Sequence, residues 1–171
     1  MFNENLTFKR SNKMNETEKV DIMTSQIEQL QVDIESELDN YEDFNFPEDS
    51  LIKKLIDERK SLVLERALLW RELKSNGQMP YTKQEEIIDK LNEAFSNAKS
   101  NEKVELEGQF YLKRFQPVEL SKTGKSVKKY WSYWLKLHEG GAIDRNWQSN
   151  IHQIWPDKFL INPDRNKARK C

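Results

Sequence analysis

Residues 104–138 decide the fold: VELEGQFYLKRF (104–115), the connection QPVELSKTGKS (116–126) and VKKYWSYWLKLH (127–138). In both outer segments apolar and polar side chains alternate, which is typical of a β-strand because successive side chains point to opposite faces. The stretch therefore predicts two antiparallel strands, one starting near Val104 and the other near Val127.

One face of the second strand is both basic and aromatic. It carries the residues Lys128, Tyr130, Ser132, Trp134, Lys136 and His138. Lysines neutralise phosphate groups and flat rings stack on bases, so this face is a candidate surface for nucleic acid. The alternative is that its rings fill the core of a small sheet and its lysines lie at the solvated rim.

Beyond this strand the pattern predicts a turn and a short third strand. Gly140 and Gly141 suit the turn, because glycine adopts a positive φ without steric cost. Ile143 to Trp147 is the predicted third strand, and residues 149–156 are predicted to form one or two helical turns that stop before Pro156.

The chain before residue 100 has helical periodicity instead. Five apolar residues recur at alternating intervals of three and four, as in a coiled coil: Val20, Met23, Ile27, Leu30 and Ile34. We expect this seam to be buried. The amphipathic helices of one chain can bury one another, and the seam can also serve self-association between two chains.

Two more helices follow this seam. The second has a broad apolar stripe from Leu51 to Leu73, flanked at seven-residue spacing by Arg59 and Arg66. The third starts at Thr82, where Glu85 completes a capping box. The predicted fold class is thus α+β, with an N-terminal antiparallel helical hairpin or three-helix coiled-coil-like unit before a small antiparallel sheet.

Composition predicts four regions: a disordered leader (1–15), a helical region (16–100), a small β-rich domain (101–163) and a basic tail (164–171). Residues 1–100 carry 14 basic and 21 acidic side chains, whereas residues 101–171 carry 14 and 8. An acidic helical half and a basic aromatic half suggest two separate tasks, although the halves can also simply attract each other.

No motif in the sequence predicts catalysis, a metal site or a cofactor. Residues 123–126, TGKS, match the end of a phosphate-binding loop, but Glu119 replaces the glycine that this loop requires. The two histidines lack metal-ligand spacing, and the only cysteine is Cys171. We therefore expect a non-enzymatic, intracellular (cytoplasmic) protein with no membrane span.

The segment 123–147 resembles a known type of module. Tyr130, Trp131, Tyr133, Trp134 and Lys136, followed by the two glycines and by Arg145, are similar to the small three-stranded DNA-binding modules of tyrosine recombinases and mobile-element proteins. The resemblance implies that a three-stranded sheet contacts DNA.

Together these features predict a nucleic-acid-binding accessory protein, with DNA the favoured ligand. Its predicted contact residues are Lys128, Tyr130, Trp134, Lys136 and Arg145, and its helices are expected to mediate self-association. The alternative is a protein-interaction or scaffold protein whose helical hairpin binds itself or another helical protein.

Overall fold

The computed structural model describes residues 15–41 and 45–161, and this part of the chain is α+β, as predicted. The predicted basic tail and all of the predicted leader except Asn15 lie outside the described residues. The elements are α1 (Glu16–Leu38), α2 (Leu51–Ser75), α3 (Lys83–Ala94), β1 (Lys103–Leu106), β2 (Gln109–Leu120), β3 (Val127–Lys136), α4 (Arg145–Ile154) and a 3₁₀ turn (Pro156–Phe159).

Helices α1 and α2 form the predicted hairpin. The five seam residues from Val20 to Ile34 are the buried residues of α1, which confirms that the seam is a packing surface. Helix α2 of the same chain covers them, and the ion pair between Lys19 and Glu65 joins the start of α1 to the middle of α2. Self-association through this seam would require α1 and α2 to separate, because α2 already buries it. Self-association stays a prediction.

Helix α3 packs on the sheet, so of the two predicted alternatives the antiparallel helical hairpin describes the N-terminal helices. The start of α3 is fixed by the predicted capping box, in which Thr82 and Glu85 bond to each other's backbone N–H groups. Its inner residues Ile88 and Leu91 share a buried cluster with Tyr111 of β2. The main core therefore lies between α3 and the sheet, and it includes side chains from both sides of residue 100.

The sheet has the strand order β1-β2-β3 and is antiparallel throughout. The first predicted strand is in fact two strands, because the chain reverses at Glu107 and Gly108. Both turn residues have positive φ, 52° and 75°, as in the tight turns whose twist matches that of a hairpin. This reversal places Val104 opposite Tyr111 on one face of the sheet.

The predicted third strand at 143–147 is also wrong. Ile143 forms only an isolated bridge with Leu137, and helix α4 begins two residues later, capped by the Asp144 carboxylate, which accepts from the Trp147 backbone N–H. Helix α4 runs beside the free edge of β3, where Trp147 Nε1 donates to the Trp134 carbonyl oxygen at 2.8 Å. A covered edge is one way in which proteins prevent further strand pairing.

The 3₁₀ turn after α4 covers the second face of the sheet. The Phe159 ring packs edge-on against Trp131 and Tyr133, with centroid distances of 5.7 and 5.4 Å. Both faces of this end of the sheet are therefore covered by other elements. Among the described residues no helix combines the length and the apolar character needed to cross a membrane.

Candidate nucleic-acid interface

The predicted basic and aromatic face exists, but its two ends have different surroundings. Strands β2 and β3 pair Lys113 with Trp134, Phe115 with Ser132 and Pro117 with Tyr130. Directly paired residues lie on the same face of a sheet. One continuous face thus runs from Trp134 under α3 to Tyr130 near the tip of the hairpin.

At the covered end, Trp134 is fully buried. Its Nε1 donates to Asn92 Oδ1 of α3 at 3.0 Å, and the Phe95 ring contacts it edge-on. From β2, the Lys113 Nζ lies 4.4 Å from the centre of the indole ring, and burial lowers the pKa of this lysine. Trp134 is a core residue, and its predicted role in stacking on a base is incompatible with this packing.

At the open end, two rings remain accessible on the same face. Tyr130 is 55% exposed and Phe115 is 41% exposed. Their positions are diagonal neighbours across the two strands, a separation of about 7–8 Å between backbone positions. Helix α3 contacts the covered end of this face and leaves these rings uncovered, so they form an aromatic patch that a planar ligand can reach.

The hairpin around this patch is strongly basic. Residues 114–131 contain five basic residues, Arg114, Lys122, Lys125, Lys128 and Lys129, and Glu119 is their only acidic residue. All five basic residues are exposed. We call these residues together with Phe115 and Tyr130 the basic aromatic tip.

One ion pair within the hairpin neutralises part of this positive charge. The Nζ of Lys128 lies 2.6 Å from Glu119 Oε1, and both side chains are largely exposed. From Pro117 to Tyr130, the hydrogen bonds and ion pairs that the structure shows are all made within the hairpin. This part of the hairpin is therefore not tied to other elements by hydrogen bonds or ion pairs in the described structure, whereas Arg114 Nη1 donates to Asn101 Oδ1 outside the hairpin.

The remaining predicted contact residues lie elsewhere. Lys136 is half-buried at the far end of β3, with its Nζ 4.0 Å from Asp144 Oδ2, and Arg145 is exposed in the first turn of α4. Eight residues of extended strand, roughly 26 Å, separate Lys128 from Lys136. The five predicted residues thus do not form one site: Lys128 and Tyr130 lie at the tip, whereas the other three do not.

Sequence reasoning missed the tip because it started from the face that contains Trp134. Phe115, Lys125 and Lys129 were not among the predicted contacts, although the connection 116–126 contains two lysines. The segment Thr123–Ser126 is part of the turn at the end of the tip, and Gly124 has a φ of 69° there. It precedes a strand, so its similarity to a phosphate-binding loop is confined to the letters.

Within residues 15–41 and 45–161, no group of three or more His, Cys, Asp or Glu side chains is placed to hold a metal ion. No family model, curated protein or solved structure that was compared with this chain matches it.

Proposed function

We propose that this protein is a non-enzymatic nucleic-acid-binding protein that uses the basic aromatic tip as its contact surface. The observation that carries the proposal is the exposed pair Tyr130 and Phe115 on a ribbon with five exposed basic residues and one acidic residue. The lysines provide phosphate contacts, and the two rings provide stacking surfaces.

The geometry favours single strands or irregular structure over reading of a duplex by its bases. Base stacking needs an unpaired base, and Tyr130 offers a ring face with no stacking partner among the described residues. The lysines at the turn would contact phosphate groups, which are the same in every sequence. They therefore contribute affinity rather than sequence specificity. We therefore expect binding with little sequence preference and with strong dependence on salt.

The test is a titration of labelled single-stranded and duplex oligonucleotides of DNA and RNA at two salt concentrations. For the intact chain, the logarithm of affinity should fall linearly with the logarithm of salt concentration. Each contacting lysine that is replaced by glutamine should reduce that slope by close to one unit, about 0.7–0.9. Lys125→Gln and Lys129→Gln are suitable changes because both side chains are exposed and lack an ion pair in the described structure.

Stacking is tested separately from charge. Tyr130→Ala should weaken single-strand binding by about 1–3 kcal/mol and leave the salt slope unchanged, whereas Tyr130→Phe should retain most of the affinity. Lys54→Gln is the matched charge control, since Lys54 is an exposed lysine on α2, outside the β2–β3 hairpin. If Lys54→Gln reduces the slope as much as Lys125→Gln, attraction to the chain as a whole explains the binding, and the tip is not its site.

The alternative proposal is protein interaction through the α1–α2 hairpin. Exposed apolar residues there, such as Ile22, Val32 and Leu68, are the observation that favours it. They are scattered singly, which is common on protein surfaces. Absence of nucleic-acid binding at low salt would favour this alternative over the tip.

A further inference from the structure

A cleft of about 530 Å³ opens between α1, α2 and α4, on surfaces that take no part in the hairpin tip. Helix α2 contributes Arg59 and Arg66 to its walls, α1 contributes Glu28, and α4 contributes His152 and Gln153. Because residues seven apart lie on the same side of a helix, both arginines are on one wall.

Arg66 is buried and Arg59 is half-buried, and neither forms an ion pair within the described residues. Arg66 is only 5% exposed; its Nη1 donates to Thr24 Oγ1 at 3.2 Å, and its guanidinium lies 4.4 Å above the Trp70 ring. The Nε atoms of Arg59 and Arg66 are both buried and have no hydrogen-bond partner in the described part of the chain. Neither guanidinium has a carboxylate within ion-pair distance there.

Two other cationic side chains of α2, by contrast, form ion pairs with carboxylates. Arg71 Nη1 lies 2.8 Å from Asp157 Oδ1, and Lys74 Nζ lies 2.6 Å from Glu85 Oε2. Buried charges in proteins are usually paired in this way because removal from water is costly. Within the described residues, the two arginines of the cleft therefore have no carboxylate at ion-pair distance, although Glu28 lines the same cleft and acts on Arg66 through its charge.

The electrostatics of the cleft favour an anion. Burial, and then the charge of Arg59, lower the pKa of Arg66, while Glu28 raises it. Both guanidinium groups still carry their charge near neutral pH, because arginine is effectively always protonated. Partial burial lowers the pKa of His152, and its exposed imidazole adds a hydrogen-bonding group to the cleft.

We propose that this cleft binds a small molecule through a phosphate group, held by the guanidinium groups of Arg59 and Arg66. A phosphate monoester carries close to two negative charges, which match the two guanidinium groups, and its oxygens accept from both planar forks. The volume lies within the range of small-molecule sites, about 300–1,000 Å³, and exceeds what a phosphate alone requires. Gln31, Ser149 and Gln153 add neutral groups that suit the hydroxyls of such a molecule, and the Glu28 carboxylate lies in the same lining.

The test adds inorganic phosphate, as the probe, to the full chain. Calorimetry and thermal melts measure its binding. Sodium chloride holds the ionic strength constant, and succinate serves as a dianion that lacks phosphate geometry. Phosphate should raise the melting temperature in a saturable manner, as expected for a ligand that binds only the folded state. Arg59→Gln should weaken this binding by about 10- to 100-fold, the loss expected for charge-assisted hydrogen bonds.

Lys54→Gln is again the matched control, because it removes a positive charge from α2 outside the cleft. It should bind phosphate as the unchanged protein does. Melts of Arg59→Gln without ligand show whether the variant folds. If it does not, the Nε–Hε signals of Arg59 and Arg66 in nitrogen-15 NMR spectra of the unchanged protein provide the second measurement, and both should shift on addition of phosphate.

Three results would overturn the proposal: no saturable binding of phosphate, equal binding by Arg59→Gln, or tighter binding of succinate than of phosphate. Each of them leaves oligonucleotide binding by the tip unaffected, because no residue of the tip lines the cleft. Failure of one proposal is therefore distinguishable from failure of the other.

Discussion

The two ends of the β2–β3 hairpin carry similar side chains and have opposite environments. At one end a lysine and a tryptophan, Lys113 and Trp134, are buried under α3 and beside α4. At the other end Lys128 and Tyr130 belong to the same strand and are exposed. The difference comes from helices that are distant in sequence, so a basic aromatic pattern by itself does not distinguish a core from a binding surface.

The largest expected effect distinguishes these two ends by stability. Trp134→Ala should lower the free energy of unfolding by about 3–5 kcal/mol, because it leaves a cavity between β3 and α3 and removes the partner of Asn92. Tyr130→Ala should change it by about 0.5 kcal/mol or less, since surface substitutions rarely do more.

Chemical denaturation of both variants measures this difference. Trp134→Phe is the control, and it should recover part of the loss because a ring still fills the site. Equal destabilisation by Trp134→Ala and Tyr130→Ala would mean that the two ends are not differently packed.

A second comparison uses two ion pairs of equal length. Lys74 and Glu85 are buried with 2.6 Å between Nζ and Oε2, whereas Lys128 and Glu119 are exposed at the same separation. Glu85→Gln should cost about 3 kcal/mol, the lower end of the range for breaking a buried pair, because glutamine can still accept hydrogen bonds from Thr82.

The cost of Glu85→Gln should depend on pH. Burial alone raises the pKa of Glu85, but hydrogen bonds from Lys74 and Thr82 outweigh it and hold the pKa below its ordinary value of 4.5. A lowered folded-state pKa stabilises the protein above the unfolded-state value, and this stabilisation is lost as the pH falls through the folded-state pKa. Melts at several pH values should therefore show the gap between Glu85→Gln and the unchanged protein closing below pH 4.5. A gap independent of pH would contradict this origin of the stability.

The features that the sequence predicted well are those that depend on neighbours within one helix. The intervals of three and four from Val20 to Ile34 and the capping box at Thr82 are local, and both are confirmed. The turn at Glu107 was missed because glutamate rarely adopts a positive φ and so gives a weaker signal than Asn or Asp before glycine.

The start of α4 was missed for a different reason. Trp147, Ile151 and Ile154 are spaced by four and three, which is a helical pattern, and Asp144 is a suitable N-cap. Assigning Trp147 to a strand removed the first member of that series. The cleft could not be predicted from local patterns, because its walls come from three distant segments, residues 27–31, 59–66 and 149–153. The seven-residue spacing of Arg59 and Arg66 was its one sign in the sequence.

The smallest expected change in stability belongs to the exposed pair, and it also sharpens the proposed function. Glu119→Gln should alter the free energy of unfolding by about 1 kcal/mol or less, as is usual for exposed ion pairs. It also removes the only acidic side chain of residues 114–131 and releases the Nζ of Lys128 from its partner. If the tip contacts a phosphate backbone, this variant should bind oligonucleotides more tightly. Its salt dependence should also be steeper, by up to the slope of one additional phosphate contact.

Glu58→Gln on α2 is the matched control, since it makes the same charge change at an exposed position outside the β2–β3 hairpin and should leave the slope unchanged. Weaker or unaltered binding by Glu119→Gln, together with unaltered stability, would show that Lys128 does not contact the nucleic acid.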